Sequence, residues 1–139
     1  MGVSGASAYL PVDPGRIRAD SFPIVTEAEG TALLLARFTE AGYSIAENFH
    51  FHEGDIEVDL DGWDAAARVG YEYLTQEAED FLQFDPATLS RFEARMEKGD
   101  LYVLLVDEHE AVKAAALDAA ARGFLAELAQ RRATEPGGR

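Results

Sequence analysis

The chain contains no cysteine, which excludes a disulfide framework, thiolate metal sites and cysteine nucleophiles and leaves the redox compartment open. It also lacks an apolar run near the roughly 20 residues that a bilayer demands, and no basic segment followed by an apolar stretch opens it. Neither a membrane span nor a secretory leader is expected, and the expected location is cytoplasmic. Positive charge is scarce, with 12 Lys and Arg against 26 Asp and Glu for a formal net charge of −14. Such a surface repels phosphate backbones, so direct nucleic-acid binding is not expected. No serine sits in a Gly-x-Ser-x-Gly elbow, and the glycines at positions 2, 5 and 15 follow no strand, so they form no dinucleotide fingerprint.

What is present suits one folded unit. A chain of 139 residues, 47% of them hydrophobic, can bury roughly two thirds of its unfolded surface without a covalent or metal staple. Residues 1–25, with Pro11, Pro14 and Pro23 and no sustained period, read as an N-terminal arm. Residues 26–131 read as a single globular domain, and 132–139 as a disordered tail rich in glycine.

The organising stretch runs from Ile56 to Thr75. In Ile56 to Asp61 a period of two sends Ile56, Val58 and Leu60 to one face and Glu57, Asp59 and Asp61 to the other. A turn at Gly62-Trp63-Asp64 leads to a second alternating run, Val69 to Thr75, with Val69, Tyr71 and Tyr73 opposite Gly70, Glu72 and Leu74. Pairing of the two runs places Glu72 near Asp59. Before them, Thr26-Glu27-Ala28-Glu29 has the spacing of a capping box that starts a helix with Leu34, Leu35, Phe38 and Ala41 on one stripe and Gly42 at its end. Tyr43 to Phe51 reads as a strand carrying His50 and His52 on the face away from Phe49 and Phe51, and Glu53-Gly54 as a tight turn.

Further on, Gln76 to Phe84 reads as a short helix or turn. Asp85-Pro86 then caps a helix whose buried stripe is Leu89, Phe92 and Met96, with Gly99 as its stop. Leu101 to Val106 is apolar on both faces, the pattern of a central strand and here expected to be the most buried one. A long alanine-rich helix is expected from about Glu108 to Arg131, capped by Asp107, with Leu117, Ala121, Phe124, Leu125 and Leu128 facing inward. The fold class is therefore α+β: one mixed sheet of about four strands, in the chain order α-β-β-β-α-β-α, flanked by helices and closed by a long C-terminal one.

That order resembles the core of the restriction-endonuclease-like fold, the PD-(D/E)xK superfamily, over roughly Thr26 to Val106. The resemblance implies acidic metal ligands on the second and third strands, which map to Asp59 and Glu72, with Glu27 or Glu29 as a further contribution and Mg²⁺ as the cofactor. Position 74 is Leu where the family places its catalytic lysine. Independently, His50 and His52 share a strand face at a spacing that can chelate Zn²⁺, with Asp55 or His109 as a third ligand.

No complete catalytic set emerges. The expected function is that of a non-enzymatic acidic protein-binding module, an adaptor, chaperone-like or inhibitory (immunity-type) protein that engages a basic or hydrophobic surface without a cofactor. Its candidate contact residues are Glu57, Asp59, Asp61, Trp63 and Glu72. The alternative is a metal-dependent phosphodiesterase or nuclease using Asp59, Glu72 and Mg²⁺. A homodimer through the long helix or a sheet edge is also expected.

Overall fold

The capping box at the first helix is formed in a computed structural model that describes residues 25–75, 82–110 and 113–134. The Thr26 side chain accepts from the Glu29 amide and the Glu29 carboxylate accepts from the Thr26 amide, both at 3.1 Å. Two otherwise orphaned donors are thereby satisfied at the start of α1, Glu27–Glu40. Gly42, at φ 102°, takes the left-handed conformation that turns the chain out of this helix. β1 (Ala46–Glu53), β2 (Ile56–Asp64) and β3 (Val69–Leu74) follow as an antiparallel meander. Next come α2 (Pro86–Glu97), β4 (Tyr102–Asp107) and α3 (Ala114–Thr134).

The α+β architecture expected from the sequence is present as one mixed four-stranded sheet in the order β1-β2-β3-β4, with β4 parallel to β3. Helices cover both faces. Leu34 and Phe38 of α1 and Leu117, Ala121 and Leu128 of α3 close one core with Val69, Tyr71 and Tyr73. Phe92 of α2 closes the other with Phe51, Ile56, Val58, Leu60 and Trp63. Asp85 caps α2 by accepting from the Thr88 amide at 2.9 Å, with Pro86 as the first helical residue.

Several details differ from the sequence-based expectations. Among the described residues β4 lies at a sheet edge, and β3, buried at every position, is the most buried strand. The doubly apolar pattern of Tyr102 to Val106 reflects a helix on each face, and periodicity reports faces without reporting flanks. The turn expected at Gly62-Trp63-Asp64 falls at residues 65–68 instead, because Trp63 continues β2 and pairs with Gly70. The last helix begins at Ala114, and Asp107 accepts from the His109 amide at 2.7 Å in a turn ahead of it. The expected arm, apart from Val25, lies outside the described residues, as do 76–81 of the expected short helix and 135–139 of the tail.

One irregularity positions the acidic residues. Glu47 pairs with Gly62 and Phe49 with Leu60, so Asn48, at φ 53°, stands opposite Asp61. Just ahead of β1, Ile45 packs against the first core, and beyond Asn48 Phe49 packs against the second. On β2 the same exchange sends Leu60 and Trp63, three residues apart, into one core. Strict alternation, which would keep Tyr43, Ile45, Phe49 and Phe51 together, is broken by a left-handed residue.

Candidate functional site

β2 and β3 are bonded at Gly62↔Tyr71, Trp63↔Gly70 and Asp64↔Val69, and beyond Gly62 they part. Side chains take over the backbone ladder there. Glu72 Oε1 accepts from the Asp61 amide at 2.7 Å, and Asp61 Oδ2 accepts from the Tyr73 amide at 2.8 Å. Glu72 is 1% exposed. Further along, the edge that β2 turns toward the gap is met by Gln83, whose amide accepts from the Asp59 N–H at 2.8 Å and donates to Asp59 Oδ2 at 3.0 Å.

The expected neighbours Asp59 and Glu72 therefore engage different partners. Asp59 is solvent-exposed and bonded to Gln83 and His50, while Glu72 is enclosed and bonded to Asp61. The residue opposite Glu72 is Asp61, because the Gly62↔Tyr71 register puts positions 61 and 72 across from each other. Sequence alternation assigned both acids to a strand face, but the offset between strands decides which of them meet.

Glu57 and Asp59 form an exposed ridge on the β1–β2 hairpin. His50 bridges them, with Nε2 2.8 Å from Glu57 and Nδ1 2.8 Å from Asp59. Hydrogen bonds to Asp59 first and Glu57 second raise the imidazole pKa above its ordinary 6.5. The Asp59 carboxyl is lowered, mainly by the Gln83 hydrogen bond and then by His50. His52 stands 4.0 Å from Glu57, whereas His109 lies beyond β4 at the opposite edge and Asp55 pairs with Arg91 at 3.1 Å. Both ring nitrogens of His50 already face carboxylates. Among the described residues, no group of three or more His, Asp and Glu side chains is placed to hold a metal ion.

Trp63 is 2% exposed and closes one end of the second core, edge-on to Phe51 at a centroid distance of 5.0 Å. The Arg68 guanidinium covers its ring at 5.5 Å. Arg68 belongs to a cluster that sequence reading did not single out. Glu53 accepts from both terminal nitrogens of Arg68, at 2.8 and 2.9 Å, and from Arg95 at 2.7 Å, while Asp100 also pairs with Arg95. This bracket pulls the Glu53 carboxyl down to about 2, chiefly through Arg68. Its members come from a strand end, a turn, a helix and the loop that follows that helix, so no local motif announces it.

No family model, curated protein or solved structure matches this chain.

A second surface lies at the far edge of the sheet. α2 and α3 flank β4 and leave between them a groove of about 800 Å³. Leu89, Met96 and Leu105 form one side of its floor and Leu104, Phe124 and Leu128 the other. Glu93 and Glu97 of α2, Asp107 and Glu110 at the end of β4, and Glu127 of α3 stand around it, with Arg131 as the basic member of the lining.

Proposed function

We propose that this chain is an acidic protein-binding module, an adaptor, chaperone-like or inhibitory protein whose partners present basic or apolar surface. The observation that carries this conclusion is the exposed ridge of Glu57 and Asp59, which sits on the β1–β2 hairpin within a molecule of net charge −14. Electrostatic complementarity of this kind steers encounter and selects partners. Asp61 and Glu72 hold the backbone where β2 and β3 part, and Trp63 is core, so the contact surface reduces to Glu57 and Asp59. Capture of partners on the immobilised chain, at low salt and at about 0.3 M salt, tests it. Capture that falls with salt and falls again in Glu57→Gln/Asp59→Asn supports the module, and capture indifferent to both removes it.

A second proposal, a degenerate metal-dependent phosphodiesterase, draws on one observation: the parting of β2 from β3 brings Asp61 and Glu72 together. These residues do not complete a Mg²⁺ centre. Both carboxylates accept backbone amides, and Leu74, buried in the second core, occupies the position that the resemblance gives to lysine. Calorimetric titration with Mg²⁺ and Mn²⁺ tests it, since binding lost in Glu72→Gln would restore the enzymatic case.

A further inference from the structure

The two edges of the sheet are protected differently. β1 is mostly exposed and carries Glu47, His50, His52 and Glu53 together with the left-handed Asn48, devices that discourage another strand from pairing there. β4 has none of these from Tyr102 to Val106. Among the described residues it pairs with β3 alone.

Its backbone is presented outward in register. The amides of Tyr102 and Glu108 donate to Arg68 and Leu74 at 3.0 and 2.9 Å, so even-numbered residues turn toward β3. By strand alternation the peptide groups of Val103, Leu105 and Asp107 turn to the free side, where the Asp107 carbonyl already accepts from the Glu110 amide at 2.8 Å. The Val103 amide meets the Met96 sulfur at 3.5 Å, a weak acceptor. Leu104 and Leu105, neither fully buried, present side chains to either side of this edge.

We infer that the β4 groove accepts an extended segment of a partner protein by strand addition, and that this segment alternates basic with apolar residues. The added backbone pairs with the peptide groups of Val103 and Leu105 and with the Asp107 amide. The apolar side chains of such a segment share one face and seat on the Leu104, Phe124 and Leu128 floor, while its cations, on the other face, meet Glu93 and Glu97 of α2, with Asp107, Glu110 and Glu127 completing the acidic rim. A second copy of this chain is the poorer occupant, because edge-to-edge pairing would bring two sets of those five carboxylates together. This inference rests on the protein-binding proposal for the class of partner and adds a surface distinct from the Glu57–Asp59 ridge.

The test uses synthetic peptides of about seven residues, close to a typical strand length: alternating Lys and Val, the same residues in blocks, alternating Glu and Val, and the Lys–Val peptide N-methylated at alternate positions. Fluorescence anisotropy reads affinity, and amide hydrogen exchange on the full chain reads the site. The alternating Lys–Val peptide should bind at least about tenfold more tightly than the other three, slow exchange at Val103, Leu105 and Asp107, and lose about tenfold in Glu93→Lys/Glu97→Lys. Both substitutions fall on exposed helix positions, so folding should survive them. Equal binding of the N-methylated or block peptide, absence of binding, or a β4-paired homodimer in sedimentation would overturn the inference. Peptide protection confined to the Glu57–Asp59 hairpin would also overturn it while leaving the protein-binding proposal standing. Salt-indifferent capture in the preceding experiment would remove that proposal separately.

Discussion

Glu72 and Asp61 stitch two diverging strands with their side chains, each carboxylate accepting a main-chain amide of the other strand at 2.7 and 2.8 Å. Hydrogen bonds to charged groups are worth about 1.5–3 kcal/mol, and a buried donor that loses its acceptor costs about 1–3 kcal/mol. Because Glu72 is 1% exposed, Glu72→Ala should destabilise the fold by about 2–3 kcal/mol. Glu72→Gln, which keeps an acceptor oxygen, should cost less. Urea unfolding curves for the two variants check the order.

Two glycines should respond to alanine with opposite signs. A Cβ on Gly62 would lie 2.3 Å from Cζ of Tyr71, a ring 1% exposed and packed 4.8 Å from Phe38. Tyr71 cannot withdraw without disturbing the first core, so Gly62→Ala should cost about 1–3 kcal/mol through overpacking. Gly123 lies inside α3 with nothing within 4 Å of the same position. There the helix preference for alanine acts alone, and Gly123→Ala should stabilise by about 0.5–1 kcal/mol. Thermal unfolding of both variants beside the parent measures the contrast.

Glu53 ties folding to acid pH. Its folded value, about 2, lies below its ordinary 4.5 because Arg68 and Arg95 hold the carboxylate. A depressed carboxyl contributes stability above its unfolded value, and that contribution fades as pH falls from about 4.5 through about 2. Since the side chain is 35% exposed, solvent screening limits the contribution to about 1 kcal/mol. Glu53→Gln should therefore be less stable than the parent at pH 7 and converge with it near pH 2. Denaturation midpoints measured across that range decide the matter.

The element order and most helix ends were legible because caps and glycines are local signals. Thr26 with Glu29, Asp85 with Pro86, Gly42 and Gly99 each act within a turn of their own position. The faces of β3 were legible too, since Val69, Tyr71 and Tyr73 do enter one core. Partnership was harder to read. Whether Glu72 meets Asp59 or Asp61 depends on strand offset, whether β4 is central or at an edge depends on sheet order, and the alternation shift at Asn48 needs a backbone angle. The Arg68–Glu53–Arg95 bracket joins residues up to 42 positions apart, which composition and period do not reveal.

His50 offers a direct probe of the acidic ridge. Asp59 and Glu57 raise its pKa above 6.5, so the folded state favours the imidazolium. A raised histidine contributes its stability fully below the unfolded value, and the contribution disappears as pH climbs through the folded one. Titration of the His50 ring protons by NMR should give a midpoint above 6.5. Asp59→Asn should lower that midpoint more than Glu57→Gln, because the Asp59 hydrogen bond is the larger influence. If the ridge is a docking surface for a basic partner, binding should lower it as well, since an added positive charge nearby disfavours the imidazolium. A midpoint unmoved by bound partner would place the contact elsewhere on the molecule.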